Sequence, residues 1–187
     1  MRPLRACFLL ALALSVPGAA KAQKTRAEWD RAEARIVRRP PAEFPSLPGW
    51  ARLELERRHC TIPQSDASPR PHNVLRAHLA SPGQTDVAAL CSVEGKSEVV
   101  ILWGGPKRCP ARPPDPRPDR DYLQAMEGDS IVYSREIRAV DRRFLLRHGA
   151  AEPPRIDHQG IEDSFRYKAS RVEYCSRGKW VALRGAD

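Results

Sequence analysis

What this 187-residue chain lacks narrows its function more than what it contains. Beyond its first residues no apolar run approaches the length that crosses a bilayer, so no membrane-spanning helix is expected downstream. No Cys-x-x-Cys pair occurs, which removes the usual redox motif. There is no nucleophile elbow and no zinc signature, which removes two familiar routes to hydrolysis. Gly104-Gly105 is too short for a phosphate loop and lacks the Lys-Ser/Thr that would follow one. Lysine is scarce beside arginine among the 32 basic residues, and aromatics make up only 6% of the chain. The basic residues form no stripe interleaved with aromatics, so nucleic acid is not an expected partner. No repeat is visible, which excludes a propeller.

What is present begins with a secretory signal. Arg2 and Arg5 form a basic start, Phe8 to Leu14 an apolar stretch, and Ala20-Lys21-Ala22 a small-x-small cleavage site. This is the pattern of an export leader, with a mature start at Gln23. Cys7 precedes the apolar stretch, which argues against a lipid anchor. Cleavage leaves 165 residues, read as one domain over 23–187 and long enough to bury a core. The full chain is formally +9, and loss of Arg2, Arg5 and Lys21 leaves +6. That balance favours solubility and a loose attraction to anionic envelope polymers.

Four cysteines remain: Cys60, Cys91, Cys109 and Cys175. An even count in an exported chain reads as two disulfides with three possible pairings. The pairing favoured is Cys60–Cys91, which ties the end of a helix to a central strand, with Cys109–Cys175, which clamps a proline-rich loop onto a late strand.

Thr25-Arg26-Ala27-Glu28 is a capping box, followed at helical spacing by Trp29, Ala32 and Ile36, with Pro40-Pro41 as the stop. A second short helix opens at Leu47-Pro48-Gly49 and runs to about His59, with Leu47, Trp50 and Leu53 on one face. Residues 72–79 alternate as a strand. Val87 to Val93 is a central strand, and Glu94-Gly95-Lys96 turns it into the return strand Ser97 to Trp103. Residues 104–121 read as an exposed proline-rich loop with alternating, solvated charges. A strand resumes at Ser130 to Tyr133, and Ile137 to Leu146 carries a strand-like or short helical pattern. Arg171 to Cys175 then pairs across Ser176-Arg177-Gly178 with Lys179 to Leu183. The fold class expected is α+β: one or two N-terminal helices on a mostly antiparallel sheet, braced by two disulfides.

The densest polar cluster is Asp157-His158-Gln159-Gly160-Ile161-Glu162-Asp163-Ser164. A hydrolase would use His158 as base and Asp157 or Asp163 to orient it. A divalent metal would use His158 with Glu162 and Asp163. The competing reading is a surface turn leading into a strand with Phe165 and Tyr167. His72 and His78 share a strand face but stand roughly 20 Å apart, too far for a common metal.

Residues 73–90, from Asn73-Val74-Leu75-Arg76 through Ser81-Pro82-Gly83-Gln84-Thr85-Asp86 to Leu90, resemble one unit of the FG-GAP/VCBS type. That family binds calcium through several Asp residues of the loop; here Asp86 stands alone. Over residues 47–187 the chain is similar to a group of small exported bacterial proteins. The shared residues are Cys60-Thr61-Ile62-Pro63-Gln64, Gln84-Thr85-Asp86 through Cys91-Ser92, His158-x-Gly160-Ile161-Glu162-Asp163, Lys168-Ala169-Ser170 and Gly178-Lys179-Trp180. The resemblance implies a periplasmic or secreted location and paired cysteines, and supplies no activity.

These readings point to an exported, non-catalytic binding or accessory protein, with an envelope polymer or another exported protein as partner. No catalytic, cofactor or metal residue is assigned. The alternatives are a small hydrolase built on 157–164 and an inhibitor of a foreign enzyme, which would also be small, basic and disulfide-braced.

Overall fold

The apolar run Val87-Ala88-Ala89-Leu90 has no polar face, so both of its sides must be covered. The computed structural model describes residues 23–111, 114–147 and 156–184. The expected leader over 1–22 lies outside them. Strand β4 (Asp86–Val93) is buried at every position but its last. It pairs antiparallel with β5 (Lys96–Leu102) across Glu94 and Gly95, whose φ values of +50° and +75° give the left-handed pair that a two-residue hairpin needs. Strand β3 (Val74–Ala77) flanks β4, and β6 (Arg117–Pro118) meets β5 at Lys96 and Ser97. The first sheet thus has the order β3-β4-β5-β6.

One face of this sheet receives α2 (Gly49–Arg57). Leu47, Ala51 and Leu55 recur at every fourth position and close on Val87, Ala89, Cys91, Val100 and Leu102. The expected stripe is therefore corrected. Trp50 and Leu53 stay 46% and 64% exposed, because the turn that carries Ala51 and Leu55 faces the sheet. Helix α1 (Arg26–Ala34) begins with the capping box but ends well short of Pro40. Beyond it the chain extends as β1 (Arg38–Arg39), which pairs with β2 (Ile62–Pro63). Trp29, Ala32 and Ile36 pack on the ribbon of β7 (Leu123–Ala125) and β8 (Ile131–Tyr133).

A second four-stranded sheet covers the other face of the first. It runs β12-β11-β10-β9, built from β9 (Arg135–Val140), β10 (Gly160–Phe165), β11 (Ala169–Ser176) and β12 (Lys179–Arg184). Ile137, Ala139 and Ile161 on its inner face meet Ala77, Leu79, Ala88 and Leu90. Its outer face packs Val140, Val172 and Tyr174 against Phe144 and Leu145 of α3 (Arg142–Arg147). The layers are helix, sheet, sheet and short helix. This is the α+β class expected, with the strands divided between two four-stranded sheets and two ribbons.

Both disulfides are Cys60–Cys91 and Cys109–Cys175, with Cα separations of 5.0 and 5.8 Å. Each closes a loop long enough to stabilise the fold by about 4 kcal/mol through restriction of the unfolded chain. Among the described residues no helix is long and apolar enough to cross a membrane. The proline-rich segment departs from a solvated loop at buried Cys109, at β6 and at Asp119. Asp119 is fully buried, because Arg38 reaches it at 2.9 and 2.8 Å and the Ser92 hydroxyl donates at 2.7 Å. That carboxylate anchors the end of the loop beneath the first sheet.

Candidate functional site

Strand alternation creates the site. On the second sheet the inner-face positions are Ile137 and Ala139 on β9, then Ile161 and Asp163 on β10, then Arg171, Glu173 and Cys175 on β11, then Trp180 on β12. The face turns from apolar to charged as it crosses from β9 to β12. The two sheets can close only over the apolar half. Over the charged half they stand apart and leave a cleft of about 1280 Å³. Its other wall is the facing side of β5, where Val99, Ile101 and Trp103 are half-buried. Residues 108–111 and 114–115 of the proline-rich loop roof it, held there by the Cys109–Cys175 bridge.

Two tryptophans join the walls. Trp103 and Trp180 stack with ring centroids 6.0 Å apart and planes inclined by 28°. The Trp180 indole N–H donates to the Pro110 carbonyl at 2.9 Å. Such a pair gives an apolar surface with a polar rim.

The charges in the cleft are largely matched. Asp163 takes a two-pronged contact from Arg135, Nε to Oδ1 at 3.0 Å and Nη2 to Oδ2 at 2.7 Å. Arg135 is itself buried, lies 4.3 Å from the Tyr122 ring centroid, and donates to both the carbonyl and hydroxyl of Ser97 at 2.9 Å. Burial alone would lower its pKa, but the bonds and charge of Asp163 outweigh burial and hold it above the ordinary guanidinium value. Glu173 pairs with Arg171 at 2.9 Å, and Asp115 with Arg117 at 3.0 Å. Glu98 accepts the Asp115 backbone N–H at 3.2 Å.

The loop at the mouth of the cleft is positioned by the Gln84-Thr85-Asp86 segment. Asp86 is fully buried, and its carboxylate accepts four N–H groups: Leu79 and Ala80, both at 3.1 Å, the Gln84 amide at 2.6 Å and Gly104 at 2.9 Å. Gln84 also grips Lys107, accepting its N–H at 3.0 Å and donating to its carbonyl at 2.6 Å. The double glycine serves this contact. A Cβ at Gly104 would run into the Thr85 carbonyl, and one at Gly105 into the Gln84 side chain. The aspartate that the FG-GAP/VCBS resemblance implies as a calcium ligand is thus engaged as a hydrogen-bond acceptor for its own loop.

The 157–164 cluster is a turn leading into a strand, as read, but the turn is confined to its start at Asp157 and His158 and the strand opens earlier than expected. Residues from Gly160 onward form an inner strand with partners on both sides, and Tyr167 lies in the turn after it, with φ +65°. Consecutive residues on β10 point to opposite faces, so Glu162 and Asp163 diverge. Glu162 is fully buried on the outer face, bound by Arg138 and Ser170. Asp163 faces the cleft with Arg135. Asp157 and His158 lie before the strand and line a smaller hollow beside the Ser176–Gly178 turn. The His158 Nδ1 lies 3.1 Å from the Gln159 carbonyl. The four residues therefore converge on no common point.

His72 and His78 also hold loops. Ser65 N–H donates to His72 Nε2 at 2.9 Å, which makes Nδ1 the donor to the Arg70 carbonyl at 2.9 Å. His78 Nδ1 sits 2.8 Å from the Gln84 carbonyl. Sequence reading missed Trp103, Trp180 and Arg108 as site residues. The available signal was Trp180 opposite Cys175 in the late hairpin, on the face that carries the bridge. Compared with protein-family models, curated proteins and solved structures, the chain matches none.

Proposed function

We propose that the protein is an exported, non-catalytic binding module whose ligand occupies the cleft between the two sheets. The observation that carries this reading is the state of the cleft's carboxylates. Asp163, Glu173 and Asp115 are each held by an arginine, and Glu98 by a backbone N–H. Carboxylates engaged in this way are committed to partners within the protein, and they make a stiff polar wall. The stacked tryptophans, one from each wall, offer an apolar face to a ligand. The two disulfides fit an oxidising compartment, and the leader over residues 1–22 would deliver the chain there.

The test pairs binding with turnover. Wild-type protein is offered peptidoglycan, glycan, ester and phosphate substrates, with His158→Ala as the companion variant. Capture of an envelope polymer without turnover, weakened by Trp180→Ala, supports the reading. Turnover that His158→Ala abolishes in a folded protein overturns it and installs the small hydrolase.

A further inference from the structure

We infer that the ligand is an acidic polysaccharide, its charged groups held by Lys107, Arg108 and Arg177; this rests on the proposal that the cleft is a binding site. A second hollow of about 580 Å³ lies against the cleft, and Arg108 and Gly178 line both. Lys107, Arg108 and Arg177 surround it, with Ser81 and Ser176 as hydroxyl donors beside His158. Among the described residues Asp157 is its only acidic lining residue. The three cations differ from those of the cleft wall. Of the cleft's other cations, Arg135, Arg171 and Arg58 each have a carboxylate partner. Lys107, Arg108 and Arg177 have no ion-pair partner among the described residues.

Their backbone is held in place. Gln84 grips Lys107 from both its N–H and its carbonyl, and Cys109, two residues on, is bonded to Cys175. Arg177 follows Cys175 by two residues, in the tight turn with Gly178, at φ values of +50° and +70°. One disulfide therefore brings two short basic segments to the same hollow. Three like charges facing a single counter-charge, Asp157, repel, and an oxyanion between them relieves that repulsion. Guanidinium groups also match the fork of a carboxylate, sulfate or phosphate.

Continuity with the cleft makes the ligand a polymer and not a free anion. The hollow carries the charge recognition, and the Trp103–Trp180 pair beside it carries an apolar face on which a sugar ring can lie. A docking surface for an acidic protein would be a broader apolar patch with a polar rim. This site is concave, and its walls are charged.

The experiment measures binding of the protein to five polymers of matched length: polygalacturonate, heparin, polyphosphate, polyglutamate and dextran. Polygalacturonate or heparin should bind about tenfold or more tighter than the other three, and Arg108→Glu or Arg177→Glu should weaken that binding about tenfold. Raising salt to about 0.5 M should weaken it further. Which of the two polysaccharides leads identifies the charged group as carboxylate or sulfate. Equal or tighter binding of polyphosphate would reveal a bare charge surface, and tighter binding of polyglutamate an acidic protein partner; either overturns the inference. Dextran binding that is lost in Trp180→Ala but indifferent to charge reversal would also overturn it, while leaving the binding module intact. No binding to any polymer overturns the inference alone. Cleavage of a polysaccharide that depends on His158 overturns the binding module instead.

Discussion

Arg135 reaches across the molecule: two of its nitrogens clasp Asp163 within the second sheet, and the third donates to Ser97 of the first. The pair sets the point at which the sheets stop touching. On one side of it lies the apolar contact of Ile137 and Ile161 with Ala88 and Leu90, and on the other lies the cleft.

Removing one member of this pair should be severe. Arg135→Met leaves Asp163 and Ser97 without their donors, a loss of about 3–5 kcal/mol. Thermal melts should show a Tm lowered by roughly 10 °C or more. Asp163→Ala should fall in the same range, because it strands a buried guanidinium. A Tm within 2 °C of wild type, read with the approximate scale above, would show that the pair carries little of the fold.

The protein as purified should contain no free thiol among Cys60, Cys91, Cys109 and Cys175, and thiol titration after denaturation without reductant checks this. Cys60→Ser with Cys91→Ser should lower global stability by about 4 kcal/mol. Cys109→Ser with Cys175→Ser should also release the loop around Pro110. Limited proteolysis should then cut within residues 108–117 first.

Calcium should leave the melting temperature unchanged. Both oxygens of Asp86 already accept N–H donors, and a calcium site needs six or more oxygen ligands around it. Melts with millimolar calcium and with chelator should coincide. Asp86→Ala should cost at least about 2 kcal/mol, since it leaves four N–H groups without their acceptor.

Glu54 should keep its charge to about pH 2. Bonds from Arg57 and then Arg58, at the end of α2, hold it below the usual carboxylate range. A folded-state pKa below the unfolded one adds stability above the ordinary value of 4.5, and that contribution fades as pH falls toward 2. Carboxyl NMR titration should place Glu54 at the acid end of the series, and Arg57→Ala should move it upward.

Much of the fold was legible because its signals are local. The apolar run 87–90, the turn at Glu94-Gly95 and the alternation of Val172, Tyr174 and Cys175 each follow from neighbouring residues. Strand β10 was legible only at its Phe165 end, because the charges of Glu162 and Asp163 before it look like those of a surface turn. They are tolerated in a strand only because Arg138 and Arg135 of β9 lie across from them, and that pairing spans more than twenty residues. Asp119 was missed for the same reason: its partner Arg38 lies 81 residues away. The cleft was hidden because it arises where Arg171 and Glu173 deny the sheets an apolar contact. That property belongs to the layer and not to either residue.

The connectivity of the bridges has a consequence for synthesis. In chain order the bridged cysteines are 60, 91, 109 and 175, and each partner is the next one along. A polypeptide leaves the ribosome or a membrane pore N-terminus first. An oxidant that joins cysteines in order of their emergence would close Cys60–Cys91 before Cys109 appears, and would then have only Cys109 and Cys175 left to join. With Cys7 removed in the leader, such an oxidant would reach the native pattern in chain order, without a shuffling catalyst.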